Sequence, residues 1–247
     1  MFVHAKRTLA FRRADVSRSL LEIPRRCASP PGERGIPVQR TEHPFTTMST
    51  SNPFAIAPVI LEHDLVRLEP LTLEHYDGLA EISQDPALFR YMTFDNITAP
   101  GRLRAWMEQV VTGEMPRGET VTFAIRELAG GRIAGCTSYM DIHPKDRGVE
   151  IGRTWVGKAY QRTAVNTTAK YLLLRHAFEV LGANRVQLKT DERNLQSQAA
   201  IARLGAQREG ILRAHKVLPD GYLRNTVMYS VVASEWPDVK SRLEAFL

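Results

Sequence analysis

From residue 64 onward, runs with a two-residue period and runs with a helical period follow one another along the chain. The segment DLVRLEPL (64–71) alternates apolar and polar residues, which predicts a half-buried strand. The segment TLEHYDGLAEIS (72–83) places apolar residues at helical spacing, with Thr72 at the N-cap position. RLRAWMEQVVTG (102–113) predicts a second helix, which Gly113 would end.

The middle of the chain predicts a meander of three strands. Gly130 and Gly131 separate the first two runs and predict a hairpin turn. The three runs are ETVTFAIREL (119–128), GRIAGCTSYMDI (131–142) and GVEIGRTWV (148–156).

The rest of the chain predicts a strand–helix–strand unit that ends in the strand NRVQLKT (184–190), then the short helix NLQSQAAIARLG (194–205), a hairpin and a closing helix. The helix of the strand–helix–strand unit carries an apolar stripe up to Val180, and Gly182 takes its C′ position. The turn Pro219-Asp220-Gly221 joins the last two strands. Ser234 as cap and Pro237 in the first turn begin the closing helix. Together these patterns predict an α+β fold: a mixed, mostly antiparallel twisted sheet of about seven strands, flanked by helices, with one parallel crossover.

The composition is that of an ordinary globular protein of 247 residues, with 43% apolar and 24% charged residues. No apolar run reaches the roughly 18 residues of a membrane span, so no membrane partner is expected. Cys27 and Cys136 form no CxxC motif, which argues against a zinc cluster or a disulfide framework and favours a reducing, cytoplasmic location. Asp141 and His143 are too few for a metal site, so no metal is expected.

The net charge of +6 is concentrated near the N-terminus. Residues 1–47 carry nine Lys or Arg against four Asp or Glu, so the rest of the chain is nearly neutral and offers no basic groove for DNA. The Pro-, Gly- and Arg-rich segment 24–37 predicts disorder. A transit peptide, a basic arm that contacts RNA or membrane, and an extension upstream of Met48 are three interpretations. We favour the last, with one domain over 48–247.

The segment QRTAVN (161–166) joins the meander to the apolar-striped helix. That helix begins with Thr167 and Thr168 rather than with the Asp or Glu that a helix N-terminus favours. A helix start without an acid is suited to hold a phosphate on its N–H groups. A plain loop capped by Asn166 explains the same residues equally well.

Several segments, in order, resemble motifs of the GCN5-related N-acetyltransferases. QRTAVN falls where that family carries Q/R-x-x-G-x-G/A, the loop that holds the pyrophosphate of acetyl-coenzyme A. NLQSQAAIARLGA (194–206) resembles the family's second cofactor motif. The resemblance runs from about Asp64 to Trp236. Three segments resemble the branch of ribosomal-protein N-terminal acetyltransferases (RimJ/RimL-like): EIGRTWV (150–156), LKTDERN (188–194) and EGILRAHKVLPDGYLRNTVMYSV (209–231).

The resemblance implies an N-acetyltransferase that moves the acetyl group of acetyl-CoA to a primary amine, on a peptide N-terminus or a small molecule. A ribosomal protein is one implied acceptor, and a monomer or homodimer is expected. A backbone N–H near Trp155 or Val156 would polarise the thioester carbonyl. The residues implied to hold acetyl-CoA are Trp155, Val156, Gln161, Arg162, Thr163, Ala164, Val165, Asn166, Thr167, Asn194 and Ser197.

The chain departs from the family pattern at two places. Both loop glycines are replaced, by Ala164 and Asn166, where glycine would allow close backbone approach and a positive φ. Ala is the mildest loss and Asn tolerates left-handed geometry, so we expect the loop to work with altered affinity. Ile201 stands where the family often has a Tyr that protonates the leaving thiolate. The substitutes considered are Tyr229, Tyr222 and Tyr139.

Glu150 is the candidate general base, because the attacking amine must lose a proton. Strand alternation predicts that Glu150 shares a face with Gly152 and Thr154, opposite Val149, Ile151 and Trp155. Pairing of Glu150 with an arginine is the alternative. His215, before the last turn, is a second catalytic candidate, although a structural histidine explains it as well.

Two other functions stay open at this point. A catalytically weak acyl-CoA-binding module is compatible with the replaced glycines and the missing Tyr, and cofactor turnover distinguishes it from an enzyme. A ribosome- or RNA-associated protein that acts through residues 1–47 would lose salt-dependent RNA binding on their deletion.

Overall fold

The structure, a computed structural model, describes residues 54–94 and 97–247. The predictions for residues 1–47 therefore lie outside the described residues. Within the described ranges the strands form one eight-stranded sheet with the order β1-β2-β3-β4-β5-β6-β8-β7. The strands are β1 Leu61–His63, β2 Val66–Pro70, β3 Val121–Glu127, β4 Ile133–His143, β5 Gly148–Val156, β6 Arg185–Asp191, β7 Gln207–Val217 and β8 Leu223–Val232.

The described residues contain five α-helices, of which α5 follows the last strand. Short 3₁₀ turns precede α1 and follow β5, and π-helical turns continue α2 and α3. The helices are α1 Tyr76–Ile82, α2 Arg102–Glu108, α3 Ala164–Arg175, α4 Leu195–Arg203 and α5 Trp236–Glu244.

The predicted sheet is confirmed in its type and connections. All neighbouring strands are antiparallel except β5 and β6, which the helix α3 connects as a parallel crossover. The sheet has one strand more than the sequence indicated, because β1 is only three residues long and gives no readable period. It pairs with β2, with Leu61 opposite Leu68.

The ends of two helices differ from the prediction, because a π-helical turn with more residues per turn follows each of them. Gly113 lies inside the turn Gln109–Glu114 and does not end the second helix. The turn His176–Val180 rotates the end of the crossover helix, so that Val180, predicted in the buried stripe, is 64% exposed. Gly182 follows with φ 64°, as predicted for the C′ position.

The closing helix α5 begins two residues later than Ser234, the predicted cap. Its N-cap is Glu235, whose side chain makes no capping hydrogen bond. Pro237 lies in the first turn, as predicted.

Helices cover both faces of the sheet and give it two apolar layers. On one face, α3 and α5 bury side chains such as Val149, Ile151 and Tyr139. On the other, α1 and α2 pack against a cluster that contains Trp106 and Trp155, whose ring centroids are 6.5 Å apart.

A β-bulge at Arg153 divides β5 between these layers. Gly152 lies opposite Ser138 and Trp155 lies opposite Cys136, so that β5 has one residue more than β4 in this stretch. Arg153 takes the left-handed backbone conformation, with φ 49°.

Because of this bulge, the faces predicted for Thr154 and Trp155 of β5 are wrong. Trp155 lies in the α1–α2 layer, opposite to Val149 and Ile151, because the extra residue reverses the alternation. Thr154 likewise faces α3 and not the side of Glu150, since its Oγ1 accepts from Lys170 of that helix.

Lys170 ties α3 to the sheet beside the bulge. Its side chain is buried and its Nζ donates to Thr137 Oγ1 at 3.1 Å and to Thr154 Oγ1. No salt bridge to Lys170 occurs within the described ranges. Burial lowers the pKa of Lys170 to about 7.

Gly135→Ala should destabilise the fold, because the new Cβ would lie 2.4 Å from the Trp155 carbonyl oxygen. We expect a loss of about 1–3 kcal/mol in the free energy of unfolding, measured by urea denaturation. Gly148→Ala is the matched control, since the nearest atom to its Cβ would be His143 Cβ at 3.9 Å. Equal losses in the two variants would contradict the close approach of β4 and β5.

Lys170→Met should change how stability depends on pH. The unfolded chain keeps the Lys170 proton up to a pKa of about 10.4, whereas the folded protein releases it near pH 7. Between these values the unfolded state binds more protons, so the free energy of unfolding of the wild type should rise with pH, by up to about 1.4 kcal/mol per pH unit from this residue.

Lys170→Met should lack that rise, and the exposed control Lys145→Met should keep it. Denaturation of the three proteins at pH 6 to 10 measures the difference. Parallel curves for the wild type and Lys170→Met would show that the buried ammonium stays charged.

Candidate active site

A cavity of about 1050 Å³ opens where β5 and β6 diverge. The two strands pair only from Gly148 with Arg185 to Glu150 with Gln187. Beyond this point residues 151–156 of β5 and 188–191 of β6 line opposite parts of the wall. The start of α3, α4, residues 87–94 and the β7–β8 hairpin complete the wall.

The loop before α3 differs in detail from the predicted one. Thr163 is the N-cap of α3, and its Oγ1 accepts from the Val165 N–H at 3.3 Å. The alternative interpretation, in which Asn166 caps the helix, is therefore wrong, because the helix already begins at Ala164. Arg162, with φ 60°, is the residue of this loop in the left-handed region. Helical geometry at positions 164 and 166 thus needs no glycine.

The start of α3 has the properties of an anion site. Its first turn contains no acidic residue, and first-turn N–H groups have no partner inside a helix. Arg162 and Arg203 line the cavity here. The Asn166 Oδ1 is buried and has no hydrogen-bond partner among the described residues, so it is available to a ligand that donates.

The predicted cofactor residues fall into two groups. Ala164, Val165 and Thr167 do not line the cavity, and the last two are buried. The residues that line it are Trp155, Val156, Gln161, Arg162, Thr163, Asn166, Asn194 and Ser197.

The backbone of Val156 faces the cleft. Gly157 N–H donates to the Ala134 oxygen at 2.9 Å, so residue 157 is turned toward β4. The Val156 carbonyl instead accepts from Gln161 Nε2 at 3.1 Å. Because the N–H and C=O of one strand residue point to the same edge, the Val156 N–H points to the edge that β6 leaves open.

Asn194 is held by a helix cap. It is the N-cap of α4, and its Oδ1 accepts from the Ser197 N–H at 3.0 Å. Replacement of Asn194 would therefore disturb α4 as well as any ligand contact.

Glu150 lies in the cavity wall and is 7% exposed. Its Oε2 is 2.7 Å from Lys189 Nζ, which also donates to Asp141 Oδ2 at 2.8 Å. Burial disfavours the ammonium, but the two carboxylates outweigh it and raise the pKa of Lys189. The structure thus pairs Glu150 with a lysine rather than with an arginine. A Cβ at Gly152 would lie 2.8 Å from Glu150 Oε1, so the glycine provides the space for this carboxylate.

The tyrosines considered as proton donors do not line the cavity. Tyr229 is buried in the α3–α5 layer, and Tyr139 is buried there with its hydroxyl donated to the Leu173 oxygen. Tyr222 is exposed and lies against Arg193, whose Cζ is 3.6 Å from the ring centroid.

The structure does bring His215 and Tyr91 to the cavity wall. Burial, together with nearby lysines and arginines, lowers the pKa of His215. Tyr91 precedes a segment without helical or strand periodicity, so no pattern along the chain pointed to it.

Lys170 and Arg224 also line the cavity, and sequence reasoning missed both. Each is buried, and the signal that was available is a basic residue within a predominantly apolar run of an element.

In the described ranges, no helix is both long and apolar enough to cross a membrane. The same ranges contain no group of three or more His, Cys, Asp or Glu side chains placed to bind a metal ion.

Comparisons with known proteins identify a curated relative. YdaF of Bacillus subtilis strain 168, whose name provisionally assigns it as a ribosomal N-acetyltransferase, is 31% identical over 113 residues, or 46% of this chain. The chain spans 61% of the length of that curated relative.

Solved structures share the fold. A GCN5-related N-acetyltransferase from Brucella melitensis has a TM-score of 0.72 and 30% identity, covering 77% of this chain and 86% of its own. A provisionally assigned acetyltransferase from T. thermophilus has a TM-score of 0.70 and 43% identity, covering 78% of this chain and 98% of its own. Mycobacterium smegmatis RimJ, solved with CoA-disulfide, has a TM-score of 0.65 and 21% identity, covering 77% and 97%.

Residues 66–207, more than half of the chain, match the family model of the acetyltransferase (GNAT) domain. This match spans the strands that diverge around the cavity and the loop before α3. The chain therefore belongs to the GCN5-related N-acetyltransferase family.

Proposed function

We propose that the protein transfers the acetyl group of acetyl-CoA to a primary amine. One observation carries the proposal: the cavity between β5 and β6 has an acid-free helix start in one part of its wall and the buried carboxylate of Glu150 in another. A phosphorylated thioester and an amine are the two ligands that such a wall can hold together.

The cofactor end of the cavity would hold acetyl-CoA on backbone groups. First-turn N–H groups of α3, with Arg162 and Arg203 nearby, offer positive charge to the phosphates. The Val156 N–H offers a donor to the thioester carbonyl or to the pantetheine. When bound, acetyl-CoA supplies an activated acetyl group.

At the acceptor end, Glu150 would take a proton from the ammonium, directly or through a water. Its ion pair with Lys189 holds the carboxylate in place. The amine nitrogen then bonds to the carbonyl carbon as the carbon–sulfur bond breaks. Ile201 lines the wall and donates no proton, but a thiol pKa of about 8.5 makes the thiolate a fair leaving group.

For the acceptor we propose the N-terminus of a protein, with a ribosomal protein as one candidate. The name of YdaF supports this choice. A small amine is the alternative, and we further propose a cytoplasmic location. Thiol release from acetyl-CoA across peptides and small amines tests the reaction, and the absence of release with every acceptor would contradict it. Binding without release would favour the acyl-CoA-binding module.

Asn166→Asp should separate helix stability from phosphate binding. The new carboxylate lies in the first turn of α3, where the helix dipole stabilises it, but it repels a phosphate. We expect an unchanged or higher melting temperature and a Kd for acetyl-CoA weakened by about 10–100-fold, measured by calorimetry.

S-acetylpantetheine, which has no phosphate, is the matched ligand for this variant. Its kcat/KM should change much less than that of acetyl-CoA. Equal losses for the two donors would place the phosphates away from the start of α3.

Glu150→Gln keeps the shape of the side chain but removes the base. The rate should fall by roughly 10²–10⁴-fold, and the affinity for acetyl-CoA should hardly change. The acid limb of the wild-type kcat/KM profile should be absent in the variant, and Glu108→Gln, in an exposed ion pair with Arg104, is the control. Near-wild-type rates with the acid limb intact would make Glu150 structural.

A further inference from the structure

Arg224 is a buried cation at the cavity wall without an anionic partner among the described residues. It lies at the start of β8, is 8% exposed, and its Nη1 donates to the Tyr91 carbonyl oxygen at 3.3 Å. Its Nε is buried and has no hydrogen-bond partner among residues 54–94 and 97–247. One edge of the guanidinium, formed by Nε and Nη2, is therefore left for another group.

The nearest carboxylates already have cations of their own. Glu150 is paired with Lys189, as described above. Asp191 is buried and accepts from Arg193 Nε at 3.0 Å and Nη2 at 2.8 Å. Both carboxylates act on Arg224 through the electric field, but within the described part of the chain neither forms a salt bridge with it.

A bulge in β7 places a second polar group at the same part of the wall. Leu212 pairs with Thr226 and Lys216 pairs with Arg224, so β7 has two extra residues in this stretch. Ala214 takes a left-handed conformation, and its N–H donates to Asn225 Oδ1 at 2.8 Å.

The bulge turns His215 into the cavity wall next to the strand that carries Arg224. The His215 Nδ1 is buried and has no hydrogen-bond partner in the described ranges. The imidazole is flanked by the charges of Lys216, Lys189, Arg224 and Asp141.

Two unpartnered polar groups on adjacent strands thus face one cavity. A buried charge without a counter-ion is costly, and a bound anion removes that cost. The Nε–Nη2 edge of a guanidinium matches the two oxygens of a carboxylate. The neutral imidazole can donate one further hydrogen bond.

We propose that Arg224 and His215 form a subsite for a carboxylate carried by the amine acceptor. The inference rests on the proposed function and narrows its substrate class to amines that also bear an acid. That acid belongs either to a small amino acid or to a side chain near the N-terminus of a peptide.

Matched acceptors test the subsite. The first set contains ω-amino acids of increasing length, from glycine to 6-aminohexanoate, each with its amide. The second contains the peptide amides Ser-Glu-Ala and Ser-Asp-Ala, each with its Gln or Asn counterpart. The ratio of kcat/KM for the acid to that for its neutral counterpart is measured by thiol release from acetyl-CoA.

In the wild type we expect this ratio to reach about 10–100 in one of the sets, as for a charged hydrogen-bonded pair. A high ratio among the ω-amino acids would assign the acid to a small amino acid, and a high ratio among the peptides would assign it to a peptide side chain. Arg224→Met should bring the ratio to about 1, and His215→Ala should lower it. Arg213→Met, on the exposed part of β7, should keep the wild-type ratio.

Equal kcat/KM for every acid and its neutral counterpart in the wild type would overturn the subsite and leave the proposed acetyl transfer intact. This outcome does not depend on whether Arg224→Met folds. If no acceptor is acetylated, the proposed function fails, and calorimetry of 6-aminohexanoate and its amide against the wild type decides the subsite. Stronger binding of the acid would support it, and equal or absent binding would overturn it.

Discussion

The left-handed residue Arg153, with its bulge in β5, is the constraint on which the cavity depends. The extra residue turns Trp155 into the α1–α2 layer and Thr154 toward Lys170 on the opposite face. It lies where β5 no longer pairs with β6. The Arg153 side chain forms an ion pair with Glu114 in the turn after α2, and this contact with a residue outside the sheet also stabilises the bulge. The Val156 N–H reaches the cleft because β6 does not cover this part of β5.

Charge is distributed along the cavity wall in a way that suits two different ligands. Seven Lys or Arg against three Asp or Glu leave a surplus of positive charge for an anionic ligand. Ion pairs neutralise the middle of the wall, at Glu150 with Lys189. Arg162 and Arg203 near the start of α3, and Arg224 near the hairpin, have no ion-pair partner in the described ranges, and these three residues give each end its proposed selectivity. The charged wall residues are Arg153, Arg162, Lys170, Lys189, Arg203, Lys216, Arg224, Asp141, Glu150 and Asp191.

The order of elements, the parallel crossover and the position of the loop before α3 follow from period and turn residues, which act locally. The face of the sheet on which each β5 side chain lies beyond the bulge does not follow from the period, because strand alternation assumes that no residue is inserted. The cap of α3 was misplaced for a related reason: Thr163 and Asn166 are both good caps, and the backbone decides between them.

The buried cations lie beyond sequence reasoning for a different reason. Lys170 and Arg224 are charged residues, which are usually exposed, and tertiary packing buries them. Tyr229 was considered as a substitute for the missing Tyr at position 201, but burial in the core removes it from the cavity.

Hydrogen–deuterium exchange with and without coenzyme A measures most directly whether the cleft between β5 and β6 holds the cofactor. Coenzyme A has no acetyl group, so binding is observed without turnover. Bound cofactor should slow the exchange of the Val156 N–H and of the N–H groups of 162–166, and leave β1 and β2 unchanged. Unchanged exchange at Val156 and 162–166 at saturating coenzyme A, or protection confined to other strands, would contradict a cofactor site in this cleft.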